Sequence, residues 1–486
     1  MPIAIVKQNL AIPHHAESPQ NLLMILQQWD GLIWLADDAQ PVIGLCPRWR
    51  VSQSAHAVEL CYRDDAGQLS APIRLTDGGA QHDFAARVQQ CWRDSDVDAW
   101  QLPMLAGFRG GLMGFLGYDW AAARHGIDKH PNNITTQNTT IQNTADHRAP
   151  CNAWLGCYDI FLRQDSDGWQ LYGADCPSLQ PVYAQIAACF SHHTQHAGVL
   201  SQSQHALPDL HMIDRFAPRW SLQQYQRAFA QVQDYLRAGD CYQVNLTQAF
   251  GATVSGRLLN RLDQLQQLTR APFAGYLAIN PEHEVLSCSP ELFLSFLPDG
   301  EVVTRPIKGT QPRHADPIQD AARKQQLAQS EKDQAENLMI VDLLRNDLAR
   351  QAQIGSVRVP KLFEIESFAQ VHHLVSEIRA TLAAGQSPLD LLFDALPGGS
   401  ITGAPKIRAM QIIAELEAGQ RGAYCGSMGY LNADGTGRFN ILIRTLERIG
   451  AQVSVWAGGG ITIASEVDQE YQECWDKVGA ILWCLE

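Results

Sequence analysis

The chain has 486 residues, of which 45% are hydrophobic and 18% are charged, and its formal net charge is −14. This composition is typical of a globular protein with a sizeable core, forming two or three domains or one large enzyme fold. The acidic balance argues against general binding to nucleic acids or anionic membranes, which requires a basic face, so an anionic substrate would need local positive groups.

Cysteine spacing and apolar runs indicate a soluble, cytoplasmic protein. The twelve cysteines include no Cys-x-x-Cys pair, so free thiols in a reducing compartment are the simplest interpretation. Met1 to Leu10 has no apolar signal core, and no run approaches the 18 apolar residues of a transmembrane helix.

Residues 1–190 carry helical and strand patterns in turn, which predict a mixed α and β region. The elements expected there are helices at 21–29 and 84–92, a strand at 31–35, and a hairpin of 155–162 with 169–172. The glycine-dense stretch 108–119 lacks the Lys-Ser/Thr ending of a phosphate loop, so closely packed strands explain it better. The polar stretch 126–149 is predicted as a surface insertion and 191–219 as a linker, because neither has much to bury.

From residue 220 the sequence shows clearer patterns of helices and paired strands. Ser221 as N-cap and Gly239 as terminator predict a helix over Leu222–Ala238. The other expected elements are strands at 242–246, 276–279, 284–289, 292–296 and 301–304, a helix at 330–351, two hairpins within 429–460 and a helix at 466–485. Adjacent antiparallel pairs with helices between them indicate the α+β class.

Lys308 is the first candidate for chemistry. Pro306 cannot donate to a sheet ladder, so the strand 301–304 should end there and leave Lys308 at a strand end beside Gly309. A lysine amine in a pocket can act as a nucleophile. From this stretch alone, an exposed lysine in a turn is the better interpretation.

Two helices present carboxylates at helical spacing. In the closing helix, one stripe is apolar and the neighbouring one contains Glu466, Glu470, Glu473 and Lys477. Glutamates at i and i+3 share a face and suit an oxygen-ligand cation such as Mg²⁺, although taken alone a solvated acidic face is favoured. The helix 330–351 repeats the spacing with Asp333 and Glu336, which are alternatively dipole partners at a helix start.

Two glycine-rich loops, 397–406 and 457–460, are places where a ligand can approach bare backbone. The first leads into a helix at Pro405 or Lys406, and amides at a helix start bind carboxylates as well as phosphates. Either loop alone is weak support for a site.

These segments occur together and in order, and they resemble the chorismate-utilising enzymes of the anthranilate synthase component I family. The strong match covers about 220–486, and 111–119 extends it weakly. The matching segments are 289–291, 306–310, 335–343, 345–347, 372–376, 398–406, 443–445, 457–461 and Glu470-x-x-Glu473-x-x-x-Lys477. The resemblance implies a chorismate-binding fold with large antiparallel sheets in a β-sandwich core and helices outside. It also implies an N-terminal region at 1–190, a linker at 191–219 and a catalytic domain at 220–486.

Within the family, the residue at position 308 indicates the reaction. Members that form anthranilate usually carry Ala there, and the branch that aminates C4 of chorismate carries Lys. Members that add water place a lysine base near the position of Gln243. The resemblance therefore implies conversion of chorismate and ammonia to 4-amino-4-deoxychorismate, for para-aminobenzoate and folate synthesis. The alternatives are an anthranilate-forming enzyme, a non-catalytic scaffold that activates a glutaminase, and a binding module for an anionic ligand.

The resemblance also implies a role for each site residue. The amine of Lys308 attacks C2 of chorismate, and Glu291 gives a proton to the leaving C4 hydroxyl. Glu336, Glu470 and Glu473 hold Mg²⁺ at the ring carboxylate, with Asp333 supporting it through water. The residues expected to bind the substrate are His373, Ser400, Tyr424, Arg444, Gly459, Gly460 and Lys477.

Two further expectations concern partners and a second ligand. Family members take ammonia from a glutaminase subunit, and no such domain is recognisable here, so a glutaminase partner is expected, and a separate lyase would act downstream. A structural tryptophan is expected near segments 31–38 and 270–273, with Ala271, Pro272 and Phe273 in its pocket.

Overall fold

The computed structural model describes residues 3–8, 12, 18–55, 57–75, 80–127, 150–195, 209–368, 371–417 and 419–486. All but two residues of the predicted insertion 126–149 lie outside these ranges, as does the centre of the predicted linker 191–219. None of the helices in the described ranges is long and apolar enough to cross a membrane.

Helices and strands alternate along the described chain. The helices are α1 (Pro19–Ile25), α2 (Ala80–Asp94), α3 (Tyr118–Ala123), α4 (Gln180–Gln195), α5 (Leu222–Ala238), α6 (Leu262–Thr269), α7 (Pro317–Ala328), α8 (Glu331–Ala349), α9 (Pro388–Ala395), α10 (Lys406–Leu416) and α11 (Val467–Leu485). The strands are β1 (Ile5–Lys7), β2 (Ile33–Leu35), β3 (Val42–Gly44), β4 (Trp49–Ser54), β5 (Val58–Tyr62), β6 (Ile73–Leu75), β7 (Gly111–Leu116), β8 (Cys151–Tyr158), β9 (Ile160–Asp165), β10 (Gly168–Ala174), β11 (His211–Met212), β12 (Ala217–Pro218), β13 (Gln243–Ser255), β14 (Gly275–Asn280), β15 (His283–Ser287), β16 (Leu292–Phe296), β17 (Glu301–Thr304), β18 (Ile307–Pro312), β19 (Arg358–Ser367), β20 (Val371–Thr381), β21 (Gly403–Ala404), β22 (Ser427–Asn432), β23 (Gly437–Asn440), β24 (Thr445–Ile449) and β25 (Gln452–Ile461).

The strands form two large antiparallel sheets, which confirms the predicted α+β class. The first sheet has the order β1-β10-β9-β3-β2-β14-β15-β24-β25-β13-β11, and β12 and β21 also pair with β13. The second has the order β18-β20-β17-β16-β23-β22-β7-β8-β4-β5-β6, and β19 also pairs with β20. Buried residues of both sheets belong to one hydrophobic cluster.

Both sheets contain strands from each side of the predicted linker. In the first sheet β2 pairs with β14, and in the second β7 pairs with β22. The predicted regions 1–190 and 220–486 therefore share their sheets and core. Their division at 191–219 remains a prediction about the sequence.

The chain crosses from one sheet to the other at Asp159, where a continuous strand over Leu155–Leu162 was expected. β8 ends just before this residue and belongs to the second sheet, and β9 begins just after it and belongs to the first. The buried Asp159 carboxylate accepts hydrogen bonds from Arg63 at 2.6 and 3.0 Å. The apolar run does not reveal the break because both strands are buried.

Close strand packing explains the glycines of 108–119, as predicted. A Cβ atom on Gly111 would meet the carbonyl oxygen of Leu431, and one on Gly114 would meet that of Trp154. The central position of β7 in the second sheet therefore requires residues without side chains there.

Local signals set the bounds of α5 and α8. α5 begins after Ser221, whose side chain forms a capping box with Gln224, and ends at Gly239 with φ +79°. α8 begins after Ser330, which accepts a hydrogen bond from the backbone of Asp333. α11 packs against β25 and presents the predicted apolar stripe to the core.

Candidate active site

A cavity of about 880 Å³ lies among β18, β25, α8 and α11. It brings together the predicted catalytic, substrate-binding and metal-binding residues from segments far apart in the sequence. Those that line it are Glu291, Lys308, Asp333, Glu336, His373, Ser400, Tyr424, Arg444, Gly459, Gly460, Glu470, Glu473 and Lys477. Their individual roles remain predictions.

Lys308 lies inside a strand, and not at a strand end as expected. Pro306 separates β17 from β18, but pairing resumes at Ile307, and Lys308 pairs with Leu374. The register shifts after Lys308, at Gly309, whose φ of +76° favours glycine. The ammonium nitrogen lies 3.8 Å from Oε2 of Glu336, so the lysine points toward the carboxylates of the cavity.

Glu291 is a buried acid at the cavity wall, with 6% of its surface exposed. Burial raises its pKa to about 7, against the opposing effects of a hydrogen bond from Ser400 and the charges of Lys308 and Lys477. This carboxyl group can therefore hold a proton near neutral pH, which suits a general acid.

The carboxylates of α8 and α11 face the same cleft, a point that helical spacing alone left open. Glu336 and Glu470 are buried and Glu473 is half-buried. Lysine ammonium groups neutralise them: Lys332 lies 3.6 Å from Glu470 and 4.0 Å from Glu336, and Lys477 lies 2.5 Å from Glu473. Among the described residues, no three His, Cys, Asp or Glu side chains form a ready-made metal cluster.

The space beside Gly459 tests whether a cation fits these carboxylates. A Cβ atom there would lie 2.6 Å from Oε2 of Glu470 and 3.5 Å from Oε1 of Glu473. The bare backbone of β25 thus lets two carboxylates pack closely against it at the wall of the cavity. Oxygen donors facing an open volume suit a hard cation such as Mg²⁺, provided that the lysine contacts give way.

We expect Gly459→Ala to weaken Mg²⁺ binding and amination at least about tenfold, because the methyl group would push the Glu470 carboxylate from its place. Isothermal titration with Mg²⁺ and an amination assay would measure both effects. Gly479→Ala is the matched control, since a Cβ atom at this helical position meets nothing within 4 Å and should leave both quantities unchanged. Unchanged Mg²⁺ binding in Gly459→Ala would contradict the placement of the cation.

Positive and polar groups for an anionic substrate also line the cavity. Arg444 is half-buried and forms no ion pair with a described residue, and burial lowers the pKa of its guanidinium. Tyr424 is stacked on Trp456, with ring centroids 6.1 Å apart. Lys477 donates a hydrogen bond to the carbonyl oxygen of Gly458.

His373 is a neutral ring at the cavity wall. Burial, with a further contribution from Arg444, lowers its pKa to about 4. Its Nδ1 atom lies 2.9 Å from the hydroxyl oxygen of Thr310, on the strand that carries Lys308. His373 can therefore touch a substrate by hydrogen bonding, without carrying a charge at neutral pH.

Gln243 lies at the start of β13 with its side chain buried against Gly460, where a Cβ atom would meet the amide nitrogen of the glutamine. A neutral amide at this position offers no base for activating water, in line with the interpretation of the sequence.

The cavity is also lined by residues that had not been selected from the sequence, and three of them are polar or aromatic side chains of interest. They are Lys332, Asn245 and Trp456. The spacing of Lys332 four residues before Glu336 is a signal that could have found it. Asn245 and Trp456 lie on buried strands, where nothing in the alternating pattern distinguishes a cavity wall from the core.

The segments expected to hold a tryptophan do meet. The backbone of Asp38 donates a hydrogen bond to the carbonyl oxygen of Pro272, and Ala271 is buried. Phe273 lines a second cavity with Asp37, but its volume is only about 20 Å³, which is room for about one water molecule. The tryptophan pocket remains a prediction that would require this region to open.

The comparisons with known proteins agree with this geometry. A model of the chorismate binding enzyme family matches residues 60–483. Aminodeoxychorismate synthase component 1 of Klebsiella aerogenes is 54% identical over 386 residues, and that of Escherichia coli K12 is 43% identical over 379 residues. Each alignment covers 78% of this chain and 78% of the relative.

The fold agrees as well. The crystal structure of anthranilate synthase component I from Streptococcus pneumoniae TIGR4 superimposes with a TM-score of 0.69 and 25% identity, covering 91% of this chain and 92% of that one. The chain therefore belongs to the chorismate-binding enzyme family, as an enzyme that acts on chorismate and groups with the aminodeoxychorismate synthase component 1 proteins.

Proposed function

We propose that this chain converts chorismate and ammonia to 4-amino-4-deoxychorismate and water. The observation that carries the proposal is the meeting of Lys308, Glu291 and Arg444 in one cavity of about 880 Å³. This volume suits a small organic acid, and the three side chains offer a nucleophile, an acid and a carboxylate partner.

Recognition of chorismate follows from the charges of the cavity. Chorismate carries two carboxylates, and Arg444 supplies a guanidinium without a protein counter-ion among the described residues. Ser400 and Tyr424 add hydroxyl groups in the same cavity, and the bare backbone of Gly459 and Gly460 lets the substrate approach closely. Lys477 contributes further positive charge, partly offset by Glu473.

The chemical steps need a nucleophile and an acid. Lys308 first gives its ammonium proton to solvent, and its neutral amine then forms a bond to C2, the ring double bonds shift, and the C4–oxygen bond breaks. The proton of Glu291 leaves with the hydroxyl as water. Ammonia then bonds to C4, the double bonds shift back, and the C2–nitrogen bond breaks to release the lysine amine. Glu291 recovers a proton from the added ammonia, so the sum is chorismate plus ammonia giving product plus water.

The cation proposed for this site is Mg²⁺, held by Glu336, Glu470 and Glu473, with Asp333 acting through water. When bound, it supplies positive charge for the ring carboxylate of chorismate. The fit rests on the space beside Gly459 and on the oxygen donors that surround it.

Ammonia delivery is proposed to depend on a second subunit. NH₃ is scarce at neutral pH because most of it is protonated, and the relatives carry the designation component 1. We propose a glutaminase as that second component and a separate lyase that removes pyruvate from the product.

A product assay tests the proposal. The purified chain, chorismate, Mg²⁺ and ammonium at alkaline pH should yield a species that retains the enolpyruvyl group and becomes para-aminobenzoate when the lyase is added. Fluorescent anthranilate as the product would show instead that Lys308 does not select amination at C4. Absence of turnover with saturating ammonium, with or without a glutaminase, would favour the scaffold.

A further inference from the structure

Lys332 joins two helices that carry carboxylates, and the proposed chemistry does not use it. It lies in the first turn of α8, one turn before Glu336, at the wall of the cavity. Its ammonium nitrogen lies 4.0 Å from Oε1 of Glu336 and 3.6 Å from Oε1 of Glu470 on α11. One ammonium group thus bridges two of the three glutamates proposed to hold a cation.

Charge explains why a cation is needed there in the absence of metal. Glu336 and Glu470 are buried, and two like charges that face one cleft repel each other. The Lys332 ammonium lies within 4.0 Å of both of these carboxylates, and Asp333 and Glu473 line the same cavity. One ammonium group therefore offsets part of the negative charge of the cleft.

Lys332 is held loosely compared with its neighbour Lys477. The distances of 3.6 and 4.0 Å exceed hydrogen-bond length, so charge and not directional bonding holds it. Its side chain is 47% exposed and can turn toward solvent at little cost. Lys477, by contrast, lies 2.5 Å from Glu473 and donates a 2.7 Å hydrogen bond to Gly458.

We propose that Lys332 is the exchangeable counter-ion of the metal site. Its ammonium neutralises Glu336 and Glu470 in the metal-free enzyme and turns out to solvent when Mg²⁺ binds them. Mg²⁺ binds oxygen ligands at about 2.0–2.1 Å, so ion and ammonium compete for the same carboxylates. Lys332 therefore weakens Mg²⁺ binding while it keeps the metal-free cleft assembled. This inference rests on the proposed metal site.

The test is a Mg²⁺ titration of the full chain by calorimetry, with Tm measured before and after metal is added. Lys332→Met keeps the apolar stem and removes the charge, so we expect Mg²⁺ to bind about five to ten times more tightly. The metal-free Tm should fall, and the rise on adding Mg²⁺ should be larger than in the unmodified chain. Lys332→Arg keeps the charge and should bind Mg²⁺ like the unmodified chain.

Lys324→Met, at an exposed lysine of α7, is the matched control and should change neither quantity. Glu470→Gln separates the two proposals, since it should weaken Mg²⁺ binding whatever the role of Lys332. If Glu470→Gln weakens binding while Lys332→Met leaves it unchanged or weaker, the counter-ion inference is overturned and the metal site stands. If the unmodified chain shows no saturable Mg²⁺ binding, both the metal site and the counter-ion role of Lys332 are refuted. The product assay then still tests the proposed amination of chorismate. A circular dichroism spectrum matching that of the unmodified chain will show that Lys332→Met is folded.

Discussion

Replacing Lys308 with alanine is expected to lower the amination rate on the order of a thousandfold, with a much smaller change in KM for chorismate. The amine is the proposed nucleophile, so its removal leaves binding intact but takes away the covalent route. The side chain points at Glu336 from inside β18, and its loss should disturb the fold little. Product formation from ammonium and chorismate, followed by chromatography, measures both parameters.

The variant Lys308→Arg shows whether Lys308 acts as a nucleophile or only as a positive charge. Arginine preserves the positive charge beside Glu336, but its guanidinium stays protonated and cannot attack a ring carbon. If the amine is the nucleophile, Lys308→Arg should lose activity to about the same extent as Lys308→Ala, and mass spectrometry of the unmodified chain during turnover should reveal an adduct on Lys308. Full activity in Lys308→Ala, with no adduct trapped, would refute the covalent step.

Glu291 is the second position with a large expected effect. If its protonated form is the acid, the slope of log kcat/KM against pH should fall by one unit as the pH passes about 7, where this carboxyl titrates. The NH₃ concentration must be held constant across the series, because NH₃ itself increases with pH. Glu291→Gln should lose about 10²- to 10⁴-fold in rate and show no break near pH 7. A break that persists in this variant would assign it to another group.

Stability provides an independent measurement on the same variant. The pKa of Glu291 is raised from 4.5 to about 7 in the fold, so its favourable contribution is fully present below pH 4.5 and is lost as the pH rises toward 7. At pH 8 the buried charge costs up to about 3 kcal/mol. Glu291→Gln should therefore have a higher free energy of unfolding than the unmodified chain at pH 8 and a similar one at pH 4. Denaturant titrations at the two pH values would measure the difference, and equal stability at pH 8 would contradict the burial of a charged carboxylate.

Local signals allowed several elements to be predicted, and the predicted catalytic, substrate-binding and metal-binding residues all line the cavity. The bounds of α5 follow from a capping serine and a terminal glycine, which act through their nearest backbone neighbours alone. The glycines of β7 likewise indicated close strand packing before the neighbouring strands were known. Lys308 and the glutamates came from residue type and spacing together with the ordered resemblance to one family.

The sequence by itself determined the ends of α5, the α+β class and the residue types available for chemistry, because these depend on interactions between residues a few positions apart. Tertiary structure decided which of them meet. Long-range contacts explain three features that the sequence did not reveal. They are the crossing between sheets at Asp159, the sharing of both sheets by 1–190 and 220–486, and the bridge from Lys332 to Glu470. A hydrophobic pattern indicates that a face must be buried, and a charged pattern indicates that its charge needs a partner. Only the folded chain shows which distant residue meets either need.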